Sequence, residues 1–113
     1  IVESESQINL AISETENSNK LLVIKFYADW CVSCNTLERI VFSDSNVVQA
    51  LQSTLALTVD VTQNNKDNQK ILARFNLVGP PAILFFKDGK EQRSHRIIGE
   101  IGATDFLKHV NSF

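Results

Sequence analysis

The sequence predicts a single α/β domain: a central mixed sheet of four to five strands flanked by helices. Three observations carry this prediction. Runs rich in branched and aromatic residues, each of strand length, recur at Leu21–Tyr27, Leu55–Val61 and Ala82–Phe86. Segments with apolar residues at helical spacing separate them. An Asp88-Gly89 pair then supplies the strongest hairpin signal in the chain. With 113 residues, there is material for one hydrophobic core but not for two.

Taken in order, Ser4–Glu16 places Ile8, Leu10, Ala11 and Ile12 among polar residues, a short amphipathic helix. Asn17–Lys20 is a polar turn, and LLVIKFY (21–27) fits a buried central strand. After Cys31 the period changes, with Leu37, Ile40 and Val41 on one helical face. Ser43-Asp44 reads as a break with a fresh N-cap, continued by Val47, Val48, Ala50 and Leu51. LALTVDV (55–61) is the second strand, with Asp60 expected at a sheet edge or end. Thr62–Asn68 is a polar connection, and Gln69–Phe75 a helix with Ile71, Leu72 and Phe75 inward. Gly79-Pro80-Pro81 cannot sit inside a regular element. AILFF (82–86) is the third strand, and the hairpin leads to a fourth near Ser94–Ile98. Ala103–Val110 closes the chain as a helix. The order is αβαβαββα, and strands separated by helices are expected to be parallel neighbours.

Composition excludes several classes of function. At 43% hydrophobic and 21% charged residues, the chain is ordinary globular material. A net charge of −2 offers no basic field for nucleic acid. No apolar run approaches the length of a membrane span. Ile1–Gln7 lacks the basic start and apolar core of a signal peptide, and the chain lacks an initiator Met. The expectation is a mature product or an excised domain, spanning 1–113 and monomeric as isolated. Any membrane or export address would then lie in the missing part of the chain.

The chemistry concentrates in Trp30-Cys31-Val32-Ser33-Cys34, where a strand gives way to a helix. A bridge across so short a loop constrains the unfolded chain little, so the pair is a poor structural staple. At a helix N-terminus, unpaired amides and partial positive charge favour a thiolate. Cys31, at the exposed lip, is expected to attack, and Cys34, one turn on, to resolve the mixed disulfide. No cofactor is expected beyond this redox-active pair. A zinc site needs four ligands, and His95 and His109 lack ligand-pair spacing and read as surface residues. Copper(I) held by the two thiolates is a rival reading from another class. Pro81 closes a Pro-Pro turn just before the third strand.

The segments FYADWCVSC, FSDSNVVQAL, VDVTQNN and NLVGPPAILFFKDG resemble the thioredoxin-like C-terminal domain of DsbD, the thiol:disulfide interchange protein or protein-disulfide reductase. The likeness runs from about Leu21 to Gly102. It implies a thioredoxin fold and a periplasmic domain of a bacterial inner-membrane protein. Such a domain takes electrons from the transmembrane domain and passes them to the N-terminal domain of the same protein. Disulfide isomerisation and cytochrome c maturation are supported in turn. A free-standing thioredoxin-like reductase or isomerase is the alternative within the fold. Carried across, Cys31 is the nucleophile, Cys34 the resolving thiol, Pro81 the cis proline, and Glu38 an acidic residue that tunes the thiols.

Two departures from the resemblance bear on mechanism. Lys25 stands where the family usually has a buried Asp, and it is expected to lie near Glu38, each offsetting the other's burial. Pro80 precedes Pro81 and stiffens a loop expected to face substrate. Asp29 is expected to shape the entry to the cysteines. Trp30, Val32 and Ser33 are expected on the surface that meets protein dithiols and disulfides.

Overall fold

The computed structural model describes residues 4–113. In chain order its elements are α1 (Glu5–Ser18), β1 (Leu22–Tyr27), α2 (Val32–Ile40), α3 (Ser45–Leu51), β2 (Leu55–Asp60), α4 (Lys66–Arg74), β3 (Ala82–Lys87), β4 (Lys90–Glu91), β5 (Ile97–Ile98) and α5 (Ala103–Val110). A 3₁₀ turn, Arg93–His95, lies between β4 and β5. The sheet order is β2-β1-β3-β4, with β5 also paired to β3. No helix among the described residues is long and apolar enough to cross a membrane.

Alternation along β1 sorts the molecule into two layers, because successive side chains leave opposite faces of a strand. Leu22, Ile24 and Phe26 join Leu84 and Phe86 against Ile8 of α1 and Ile71, Leu72 and Phe75 at α4. Val23, Ile83 and Phe85 face the other way, against Leu37, Val41 and Val47 and against Phe106 and Val110 of α5. Lys25 shares the face of Val23, which turns it towards α2.

Only β1 and β2 are parallel, from Leu22 opposite Leu55 to Tyr27 opposite Asp60. β3 runs antiparallel to β1, with Phe26 opposite Ala82 and Leu22 opposite Phe86. The expectation of parallel neighbours therefore fails at β3. β2 ends and β3 begins at the same end of the sheet, the end that carries the cysteines. The nine residues of α4 and the loop after it bring the chain back to where it left, so β3 has to run the other way.

The expected fourth strand near Ser94–Ile98 is in fact two short strands. Asp88 (φ 54°) and Gly89 (φ 77°) both take the left-handed conformation, so the hairpin closes in two residues and pairing resumes at once, Lys87 opposite Lys90. An uninterrupted ladder continuing from Phe86–Glu91 would set Ile83 opposite Ser94. Ile83 is instead opposite Ile97, so three residues, Arg93–His95, are extruded as the 3₁₀ turn. The extrusion keeps Ile97 on the buried face. It also lays His95 on Phe113, ring centroids 4.2 Å apart, and brings His109 within 5.4 Å of it. The two histidines are thus half-buried neighbours rather than separate surface residues, and the ring of His109 bonds to the carbonyl oxygen of His95.

α4 starts earlier than its apolar residues suggest, because Asn65 caps it. The Asn65 side chain accepts from Asn68 N–H at 2.9 Å, and Asn68 reaches back to Asn65 N–H. α1 runs two residues past Glu16 and stops at Asn19, which takes the left-handed conformation at φ 58°. Inside α1, Thr15 is fully buried, a position the sequence pattern did not mark. Its hydroxyl donates to Ile12 C=O at 2.6 Å and accepts from Gly89 N–H at 2.7 Å, tying the helix to the hairpin turn. A Cβ at Gly89 would come within 2.5 Å of the Glu16 side chain, so both space and φ favour glycine there. Thr15→Val keeps the shape but removes the acceptor of the half-buried Gly89 amide, and is expected to cost about 1 kcal/mol in urea unfolding. An unchanged midpoint would show that the turn holds without this bond.

Candidate active site

The site stands at the end of β1. Tyr27 is the last strand residue, and the chain turns through Ala28–Trp30 with Cys31 N–H donating to Ala28 C=O at 3.1 Å. Cys31 then occupies the N-cap of α2 in extended conformation (φ −90°, ψ 107°). An oxygen side chain usually caps a helix; here Cys31 Sγ takes that role and accepts from Cys34 N–H at 3.1 Å. Cys31 and Cys34 form a disulfide, their Cα atoms 5.2 Å apart. Both are buried, at 7% and 3% exposure, so Cys31 is less exposed than its expected place at the lip, because the disulfide and the flanking turn cover its sulfur. The two sulfurs have different neighbours. Cys31 faces an amide donor, whereas Cys34 Sγ lies 3.9 Å from Phe26 C=O, an acceptor.

Pro81 follows a cis peptide bond from Pro80, as expected. Its ring borders a small cavity shared with Cys34, Phe26, Leu37, Lys25 and Glu38. Pro81 C=O is taken by Gly99 N–H at 3.2 Å. Pro80 lacks an amide proton, so the residue before Pro81 offers a docking chain a carbonyl acceptor and no donor.

Lys25 and Glu38 meet: Nζ to Oε1 is 2.9 Å, with the lysine side chain 17% exposed and the carboxylate side chain 41%. The ammonium also sits 4.0 Å from the centroid of the Phe42 ring, a cation–π contact. The ion pair follows from two periodicities. Lys25 leaves β1 towards α2, and Glu38 lies one helical turn beyond Cys34 on the same face of α2. Phe42 carries no sequence signal of this role, because it is one apolar residue among several after that helix.

The opposite wall is a chain of polar contacts. Tyr27 Oη donates to Asp29 Oδ1 at 2.8 Å, and Asn35 Nδ2 donates to Asp29 C=O at 3.1 Å. Asp29 N–H donates to Thr62 Oγ1 at 2.9 Å, and Trp30 Nε1 donates to Thr62 C=O at 2.9 Å. Thr62 in turn bonds through its amide and its hydroxyl to Asp60, the last residue of β2, so Asp60 does stand at a sheet end. Asp29 is therefore a structural knot of the entry loop. Thr62 and Asn35 carried no sequence signal, because the first lies in a polar stretch and the second faces outward on a helix. Trp30 and Val32 are 56% and 79% exposed on either side of Cys31. Ile98, opposite Ala82, and Val78, before Gly79, are exposed as well. Ser33 is half-buried, and its hydroxyl is taken by Glu100. Among the described residues, no group of three or more His, Cys, Asp or Glu side chains could hold a metal ion.

A strand that hands over to a helix through a disulfide at its N-cap, opposite a cis proline, is the arrangement on which comparison with known proteins can be made. The sequence pattern of the family described as thioredoxin-like matches residues 3–88. The chain belongs to the thioredoxin-like family. It is 38% identical over 95% of its length to the thiol:disulfide interchange protein DsbD of Pseudomonas fluorescens, and 41% identical over 93% to DsbD 1 of Pseudomonas aeruginosa. It covers only 18% of each of those proteins. In structure it is similar to the oxidised C-terminal domain of DsbD from Neisseria meningitidis, with a TM-score of 0.82 and 25% identity over 99% of this chain and 98% of that one. The reduced form of the same domain matches with a TM-score of 0.84.

The wall also fixes a titration. The bond to Asp29, above all, raises the Tyr27 phenol above its ordinary value near 10, with burial and the charges of Asp29, Asp60 and Glu38 adding to it. The folded state thus favours the neutral phenol. Its contribution to stability is present below pH 10 and is lost as pH rises through the folded value. Tyr27 is the single tyrosine in the chain, so its phenolate absorbance can be followed alone. Asp29→Asn is expected to bring that titration back towards 10, and an unmoved curve would refute the assigned cause.

Proposed function

We propose that this domain is a thiol–disulfide oxidoreductase that passes electron pairs between protein partners through Cys31 and Cys34. The observation that carries the reading is the asymmetry of the two sulfurs at the start of α2. On reduction, the Cys34 amide is placed to favour a Cys31 thiolate, while a protonated Cys34 has the Phe26 carbonyl to donate to. Cys31 then attacks a partner's disulfide, forming one S–S bond and expelling one partner thiolate, which takes up a proton. Cys34 loses its proton and attacks Cys31 Sγ, closing the intramolecular disulfide and releasing the partner's second sulfur. Two electrons leave the domain, and no other cofactor takes part.

The exposed Trp30, Val32, Val78 and Ile98 support a protein partner, because apolar side chains gathered around a reactive bond suit a second apolar surface. Contact through so few residues suits a short-lived complex, as turnover requires. The relatives named as thiol:disulfide interchange proteins are several times longer than this chain, which supports a further step in the reading. The domain would serve as the C-terminal part of a bacterial inner-membrane protein, in the periplasm. It would receive electrons from a transmembrane domain and deliver them to an N-terminal domain. Disulfide isomerisation and cytochrome c maturation would be the processes it supports.

Within this reading Lys25 and Glu38 act on the resolving step. Both line the cavity beside Cys34, and the lysine balances and orients a carboxylate that would otherwise oppose a second negative charge there.

Two experiments test the reading. With a disulfide peptide as acceptor, Cys31→Ser is expected to abolish exchange, and Cys34→Ser to accumulate a Cys31 mixed disulfide visible by intact-mass analysis. Trapping through Cys34 in place of Cys31 would reverse the assigned roles. Lys25→Met is expected to slow release of the mixed disulfide about two- to fivefold in stopped flow, the scale of a partly exposed ion pair. An unchanged rate would remove Lys25 from the mechanism.

A further inference from the structure

Ser33 is the second residue of α2, between the two cysteines, and its hydroxyl does not point freely at a partner. It donates to Glu100 Oε2 at 2.7 Å, across a sequence separation of 67 residues. Glu100 belongs to the short connection between β5 and α5, next to Gly99, whose amide holds Pro81 C=O. It is exposed, and among the described residues it forms no ion pair. The bond therefore parks an uncompensated carboxylate against the first turn of the helix that activates Cys31.

We propose that Glu100, held by Ser33, disfavours the Cys31 thiolate and so makes the Cys31–Cys34 pair a stronger reductant. The first turn of α2 offers a limited positive potential from its amides, and any nearby anion draws on it. In the disulfide neither sulfur is charged, and the carboxylate has that field to itself. In the dithiol, ionised Cys31 and Glu100 share it and repel each other. Glu100 thus stabilises the oxidised form relative to the reduced one, and a pair whose oxidised form is favoured gives up its electrons more readily. Glu100 touches no reacting atom; it acts through the field around Cys31, and Ser33 sets its position.

The inference rests on the exchange chemistry proposed above, and equilibration with glutathione separates the two. In that reaction the protein disulfide and two glutathiones give the dithiol and one glutathione disulfide. Glu100→Gln keeps an oxygen for the Ser33 hydroxyl and removes only the charge. At a pH where Cys31 is ionised in the dithiol, it is expected to shift the equilibrium constant towards the dithiol by about two- to fivefold, the scale of a charge at a helix N-terminus. The difference from the parent should shrink at high salt, and the thiolate absorbance of Cys31 should emerge at lower pH in the variant. Ser33→Ala, which releases Glu100, should move the constant the same way by less, and adding it to Glu100→Gln should change nothing further. A silent Glu100→Gln beside equal shifts in Ser33→Ala and Glu100→Ala would overturn the proposal, since the bond would then serve loop geometry alone. If the parent domain failed to equilibrate with glutathione, the exchange reading would fall and take this inference with it.

Discussion

Strand β1 is paired along both edges, to β2 and β3, and covered on both faces, so it has no register in which to slip. Its end at Tyr27 is therefore a fixed point. The turn through Ala28–Trp30 starts from it, and the helix that begins at Cys31 inherits its position. The same confinement governs Lys25. A one-residue slip would send that ammonium into the apolar layer of Leu22, Ile24 and Phe26 and away from Glu38. In the observed register it faces α2, and Glu38 and the Phe42 ring receive it. Holding the strand and compensating its one charge are a single requirement.

From that fixed point the helix start divides two chemically identical side chains. Cys31 lies outside the first turn and receives an amide; Cys34 lies inside it and looks back at the carbonyl of Phe26, the penultimate residue of the strand. Backbone dipoles of opposite sense, a few ångströms apart, are built into any strand-to-helix junction of this kind. Charged residues flank the junction on two sides. Lys25 and Glu38 stand behind Cys34 as a balanced pair, whereas Glu100 stands before α2 as a single charge.

Much of this was legible in the sequence because it is local. The two cysteines, the break in period at Cys31 and the Pro-Pro before AILFF all state their roles within a few residues. The Lys25–Glu38 contact is anticipated only through the resemblance, which sets both residues at positions beside the thiols; the strand and helix periodicities explain it once the fold is seen. What stayed hidden depends on where the chain returns. Antiparallel β3 follows from α4 delivering the chain to the end it left, which no propensity records. The split of the last strand follows from a two-residue turn that starts the ladder early, after which three residues must be extruded to keep Ile97 inward. Thr15, Thr62 and Glu100 gain their roles from partners 74, 33 and 67 residues away, and their own neighbourhoods give no hint of it.

The rim around the disulfide reconciles two demands that pull apart. A surface that must release its partner quickly should bury little area, yet a small surface tolerates little loss of freedom on binding. Here the loop carrying Trp30 is immobilised beforehand. Asp29 and Trp30 are both tied to Thr62, Asn35 holds the Asp29 carbonyl, and Thr62 is anchored on Asp60 at the end of β2. The indole N–H is satisfied by Thr62 C=O, so the ring stays 56% exposed without leaving a polar group wanting. Little ordering remains to be done when a partner arrives, and a few apolar contacts at Trp30, Val32, Val78 and Ile98 suit the approach of a partner's disulfide to reduced Cys31. Because those contacts are few, nothing holds the partner once Cys34 has displaced it.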